Sequence, residues 1–150
     1  MSDNNRIYRV GIVGCRSRGR AAAVAYHAHP RTQVVGLCDL VQERRDSLGE
    51  LLGVEARFDD IDKMIRSVAP DIVVVATATA FHYDLCMQVL EHGVHVEVEK
   101  PICVDLVQAD RMVAKAQEKG VVTAVHHQGR TGQAMRAVKA AYLDGRIGEL

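Results

Sequence analysis

The sequence lacks tryptophan, and only four tyrosines and two phenylalanines stand among its 150 residues. A stacking platform for single-stranded nucleic acid needs more aromatic faces than this. Excess charge is also lacking. Nineteen Lys and Arg balance nineteen Asp and Glu, so the broad basic footprint of a nucleic-acid binder is missing. No uncharged apolar run is long enough to span a bilayer. The opening residues Met1 to Arg6 are polar and carry no signal-peptide core. The four cysteines, at 15, 38, 86 and 103, form no CxxC pair. Neither a zinc cluster nor a disulfide framework is suggested, and free thiols in a reducing cytoplasm are expected. Low-complexity segments and solenoid repeats are absent as well.

What is present is a rhythm. Hydrophobic residues make up 48% and charged residues 25%, ordinary usage for one globular domain. Short β-branched runs read as strands at Ile7–Val13, Gln33–Cys38, Asp71–Ala76, Val94–Val98 and Val121–Val125, with a weak one at Glu55–Phe58. Between them, helical stretches are expected over Arg18–His29, Val41–Leu52, Asp60–Val68, Ala80–His92 and Asp105–Lys119, and a last one over Gly132–Asp144. Gly53, Gly93, Gly120 and Gly145 follow four of these as C-cap signals. Strand–helix alternation with near-continuous apolar strands predicts an α/β fold: a doubly wound parallel sheet with helices on both faces. Ligands of such sheets bind beyond the carboxyl ends of the strands.

The unusual polar residues fall at those ends. The first strand runs into Gly14-Cys15-Arg16-Ser17-Arg18-Gly19 and then a helix. A dinucleotide fingerprint G-x-G-x-x-G uses its first glycine for a tight turn, its second for backbone approach to the pyrophosphate and its third for helix–strand packing. Gly14 and Gly19 fit the first and third places. Arg16 occupies the second, where it either crowds a pyrophosphate or grips it through its guanidinium. A helix starting near Ser17 aims its free amides at an anion. Asp39 lies twenty positions after Gly19 at the end of the second strand, where a carboxylate holds an adenosine ribose and favours NAD. Asp39 can serve at the same time as an N-cap for the helix at Val41. Arg16, Arg44 and Arg45 leave NADP open. Further strand ends carry Thr77, Thr79 and His82, then Glu99-Lys100-Pro101, then His126-His127-Gln128. Pro101 biases Lys100 toward extended backbone. Adjacent His126 and His127 cannot share one strand face, and no metal site is assigned.

Together these residues resemble the glucose–fructose oxidoreductase / inositol dehydrogenase (Gfo/Idh/MocA) family from Arg9 to Leu150. Gly93-Val94-His95-Val96 followed by Glu99-Lys100-Pro101 is similar to the family's G-x-H-V-x-x-E-K-P segment. Asp71 to Thr77 followed by His82 resembles its D-x-V-x-I-A-T-P-N-x-x-H segment, with Ala78 for Pro and Thr79 for Asn. Gln128-Gly129-Arg130 resembles N-x-R-F, with Gln for Asn and Thr131 for Phe, and Gly145-Arg146-Ile147-Gly148 resembles the G-x-I-G before the second domain.

The resemblance implies an NAD(P)-binding Rossmann domain over residues 1–130. It implies that 131–150 hold a helix and the start of a connection to a C-terminal substrate domain. Gly14, Arg16, Ser17 and Gly19 would then meet the pyrophosphate and Asp39 the adenosine ribose. Thr77, Thr79 and His82 would line the cofactor. Glu99 would approach the nicotinamide ribose, Gln128 would reach the nicotinamide end, and Lys100 would touch cofactor and substrate as the catalytic residue. The implied reaction is hydride transfer between a nicotinamide and a sugar, polyol or related small molecule. The general base would sit beyond Leu150, so the chain alone is expected to be inactive, and a homo-oligomer when intact. An NAD-recycling glycosidase and a non-catalytic dinucleotide sensor are the competing readings. No nucleic-acid or membrane partner is expected.

Overall fold

The computed structural model describes residues 6–149. The polar lead-in 1–5 and Leu150 lie outside the described residues. Six strands form one parallel sheet: β1 (Tyr8–Val13), β2 (Thr32–Cys38), β3 (Arg57–Phe58), β4 (Ile72–Val75), β5 (His95–Glu99) and β6 (Thr123–His126). Their order is β3-β2-β1-β4-β5-β6. The chain therefore winds outward one way from β1, returns, and winds the other way from β4. The reversal between β1 and β4 opens a crevice at the carboxyl ends, because the loops there part to opposite sides.

The helices are α1 (Ser17–Ala28), α2 (Gln42–Leu52), α3 (Ile61–Val68), α4 (His82–Glu91), α5 (Leu106–Lys119), α6 (Gln128–Thr131) and α7 (Gln133–Leu143). A 3₁₀ turn over Thr79–Phe81 leads into α4. Local chemistry marks their ends. Asp60 caps α3 by accepting the Lys63 N–H at 2.7 Å, and Asp105 caps α5 by accepting that of Gln108 at 2.9 Å. The chain leaves α2 and α5 through Gly53 and Gly120 in the left-handed region. Ala69 adopts the same region after α3 without being glycine, at φ 40°, just before Pro70. At the C-terminal end the chain passes from β6 through His127 into α6, and α7, inside the expected helical stretch Gly132–Asp144, contains no buried residue.

The core has two layers, one on each side of the sheet. Val10, Ile12, Val34, Leu37 and Val74 meet Ala22 and Ala23 of α1 and Leu48 of α2. Val13, Val73, Val75, Val96 and Val98 meet α3, α4 and α5 through Met64, Leu90 and Met112. Val34 and Leu37 share a face although they are three apart, an odd spacing for a strand. A register shift between Val10 and Gly11 explains it: Val10 pairs with Val34 and Gly11 with Gly36, so Val35 is an extra residue.

Gly11 and Gly36 both make room for Met64, and Gly36 also for Val68. A Cβ on Gly11 would come within 2.9 Å of Met64 Cε, and one on Gly36 within 3.1 Å of Met64 Cγ. Met64 is fully buried in that hollow. Met64→Ala is expected to cost about 2–5 kcal/mol by leaving a cavity. Gly11→Ala placed in that background is expected to restore part of the loss, read by urea unfolding. Penalties that add would show that Met64 does not occupy the Gly11 hollow.

Candidate functional site

The carboxyl ends of β1, β2, β4 and β5 border one cleft of about 760 Å³, within the range of small-molecule sites. The turn after β1 forms its head. Gly14 runs at φ 90°, and a Cβ there would come within 2.6 Å of the Ala76 carbonyl oxygen. A Cβ on Gly19 would come within 1.6 Å of the Gly14 carbonyl oxygen. Both glycines are therefore demanded by close backbone approach. Arg16, between them, needs no such freedom. It is the N-cap of α1 at φ −82° and ψ −175°, ordinary extended backbone, and its side chain lies exposed at the cleft. The arginine therefore leaves the turn intact. No side chain caps α1 and its first turn holds no acid. Its leading amides, with Ser17 at the cleft, form an anion-receptive end.

Asp39 anchors this turn. Its Oδ2 accepts the Cys15 N–H at 2.8 Å and its Oδ1 the Val41 N–H at 2.9 Å. The Arg45 guanidinium donates to the Asp39 carbonyl at 2.9 Å, and Arg44 Nη1 lies 3.7 Å from Oδ1. Asp39 is thus not the N-cap of α2, a place taken by Val41. It braces the entry to that helix from two residues further back. Each carboxylate oxygen has two lone-pair directions, so one N–H apiece leaves capacity toward the cleft.

On the other side of the crevice, Thr77, Glu99 and Lys100 line the cleft. Glu99 is buried at 7% exposure, whereas Lys100 is exposed. Strict alternation would put them on opposite faces, but Lys100 lies just past the end of β5 and escapes it. The Lys100–Pro101 peptide is cis. His82 is buried at 1% exposure and sits outside the cleft lining. Its Nδ1 lies 2.8 Å from the Pro101 carbonyl oxygen and its Nε2 3.2 Å from that of Thr77. The imidazole braces the loops carrying Thr77 and Lys100 from beneath. Thr79, in the 3₁₀ turn, and Gln128, heading α6, are also outside the lining. The structure thus gathers Gly14, Arg16, Ser17, Asp39, Thr77, Glu99 and Lys100 around one space. Gly19 packs behind the turn, while Thr79, His82 and Gln128 stand apart from the lining.

Further lining residues were not foreseen. Phe81, Asp84, Leu85 and Gln88 form one wall. Their spacing of i, i+3, i+4 and i+7 is a single helical face, a signal present in the sequence. Asp59 and Asp60 line the cleft beyond β3, along with Arg44, which the sequence already sets near Asp39.

Cys15 and Cys38 lie under the head of the cleft. Burial, then the charge of Asp39, pushes the Cys15 thiol up to about 12. Burial, then Asp60 and Asp39, does the same to Cys38, also to about 12. Cys86 rises to about 12 through burial and its neighbour Cys103. Thiols held this far above neutrality contain almost no thiolate and are poor nucleophiles. At pH 8, iodoacetamide is expected to label the native chain far more slowly than the unfolded chain, which exposes all four thiols. Rapid native labelling of Cys15 would contradict its placement.

Comparison with known proteins follows the same lines. The family described as an oxidoreductase family with an NAD-binding Rossmann fold (GFO_IDH_MocA) matches residues 8–127. A D-apiose dehydrogenase from Paraburkholderia graminis is 30% identical over 141 residues, covering 94% of this chain and 38% of the relative. A glycosyl hydrolase family 109 protein from Bacteroides fragilis is 31% identical over 109 residues, covering 67% of this chain and 24% of its own length. Among solved structures, the WlbA dehydrogenase from Bordetella pertussis in complex with NADH and UDP-GlcNAcA superposes with a TM-score of 0.88 at 29% identity. That match covers 95% of this chain and 44% of the other. The chain thus spans about two fifths of the length of the dehydrogenases it matches.

Proposed function

The chain belongs to the Gfo/Idh/MocA oxidoreductase family with its NAD-binding Rossmann fold, and on that premise we propose that it is the cofactor half of a dehydrogenase acting on a sugar, polyol or related small molecule. The observation that carries this reading is the head of the cleft, where the uncapped start of α1, the Gly14 turn and the Asp39 carboxylate adjoin one space. The residues there fit a dinucleotide. A cradle so tight that a Cβ on either glycine would strike a carbonyl oxygen lets backbone amides approach a pyrophosphate. Arg16 adds a guanidinium at the same mouth, suited to phosphate oxygens. Asp39 receives the adenosine ribose with the lone pairs that its two backbone bonds leave over. Its negative charge favours NAD over a cofactor carrying a 2′-phosphate, while Arg44 beside it softens that preference.

The cofactor, when bound, supplies hydride exchange with a substrate carbon. The protein's part is orientation and charge. Thr77 and Glu99 line the space for the nicotinamide end. Lys100, exposed at the lip, holds the reacting hydroxyl or carbonyl oxygen and stabilises its developing negative charge. We assign His82 to keep the Lys100 loop in place instead of touching the cofactor, as its two carbonyl contacts support. Thr79 and Gln128 are assigned to flanking positions. Residues 1–130 form the cofactor domain, and 131–150 lead into a substrate domain that carries the general base. The exposed Met135, Val138 and Leu143 of α7 support such a covering partner. The intact enzyme is proposed to be a cytoplasmic homo-oligomer, a setting in keeping with four buried free cysteines.

One similarity favours a second reading, a glycosidase that recycles its cofactor. Net NADH formation by the intact enzyme separates the two. For this chain, calorimetric titration with NADH is expected to show saturable binding. Asp39→Ala is expected to weaken it by about tenfold or more, the equivalent of one hydrogen bond to a charged group. A melt of the same variant separates lost affinity from a loosened turn. Binding that is unchanged by Asp39→Ala in a folded protein would remove Asp39 from the site. Tighter binding of NADPH would shift the selecting role to Arg16 and Arg44.

A further inference from the structure

The apolar stripe of the sheet breaks at β5. On the face that α1 covers, Glu97 stands in register with Val74 of β4, and Glu99 with His126 of β6. Carboxylates two residues apart on one strand face are separated by about 6.6 Å of strand rise. Here their side chains keep only 21% and 9% exposure, so water screens them poorly. Such a pair repels unless other groups intervene.

Two groups intervene. His126 Nδ1 lies 3.0 Å from Glu97 Oε1 and 3.6 Å from Glu99 Oε1. That nitrogen is sealed from solvent and lies between the two carboxylates, within ion-pair distance of both and hydrogen-bonded to neither. From α1, the Tyr26 hydroxyl donates to Glu97 Oε2. Burial, then the bond to Glu97 and its charge, push the phenol up, so Tyr26 stays a donor. Tyr26 thus holds one oxygen of Glu97, and the other faces His126. Of the four residues only Glu99 lines the cleft.

We propose that Tyr26, Glu97 and His126 form a brace that sets the orientation of the Glu99 carboxylate, with His126 the positioning residue that transmits it. The inference rests on the cofactor reading above, which puts Glu99 against the nicotinamide ribose. Without the imidazole, Glu99 faces Glu97 across an unfilled gap and swings away from its place in the cleft. None of the three brace residues needs to touch cofactor or substrate.

A double-mutant cycle on cofactor affinity tests this. NADH is titrated calorimetrically into the wild-type chain, His126→Ala, Glu99→Gln and the double variant, with melts as folding controls. His126→Ala is expected to weaken binding by about fivefold, and to add nothing in the Glu99→Gln background. Tyr26→Phe, which keeps the ring, is expected to follow the same pattern and serves if His126→Ala folds poorly. A merely structural loss would appear in both backgrounds alike. Penalties that add, or variants that bind as the wild type does, would overturn this inference alone. No NADH binding by the wild-type chain would overturn the cofactor reading and this inference with it.

Discussion

The carboxylate of Asp39 takes the backbone N–H of Cys15 on one oxygen and that of Val41 on the other. A single side chain so joins the turn after β1 to the end of β2 and to the entry of α2. The rest of the cleft's head follows from that junction. With Cys15 held from one side, Gly14 must pass the Ala76 carbonyl closely, and α1 must begin against the Gly14 carbonyl. Only residues without a Cβ permit both contacts. The helix start is then fixed in position with its amides unspent, the condition for receiving an anion.

The opposite half of the crevice is built by a different device. There the loops are held from below, by His82 reaching two carbonyl oxygens, and from behind, by the polar face of β5. A parallel sheet covered on both sides ordinarily buries apolar residues on both. This sheet does so through β4 and then substitutes Glu97 and Glu99, whose burial is tolerable only because Tyr26 and His126 meet them. Departure from the apolar pattern next to a ligand cleft is where function is expected to override core packing.

Much of this was legible in the sequence, for physical reasons that particular residues make plain. Ile72–Val75 had to be a covered strand because its apolar run is short and β-branched, and Gly53 and Gly120 end helices because only they enter the left-handed region cheaply. The places of Gly14, Gly19 and Asp39 followed from the needs of a tight turn and its carboxylate. Less legible were features that depend on partners far away in the chain. The extra Val35 in β2 appears only once β1 is beside it. The bond between Tyr26 and Glu97 joins residues from distant segments. The motif position of His82 says nothing of which way its ring turns, and the structure sets it against the carbonyl oxygens of Pro101 and Thr77. The sequence leaves Arg16 either crowding or gripping a pyrophosphate; only the structure shows that its backbone is ordinary extended chain and that it lines the cleft. The short helix α6 carries too few residues to show a period.

The most direct test of the dinucleotide cleft is amide-resolved NMR of the ¹⁵N-labelled chain during titration with NAD. Shifts concentrated at the amides of Cys15 to Gly19, around Asp39, and at Thr77, Glu99 and Lys100 are the expected result. Saturable shifts confined to α6 and α7, or an unchanged spectrum at saturating NAD, would contradict a cofactor site at the strand ends.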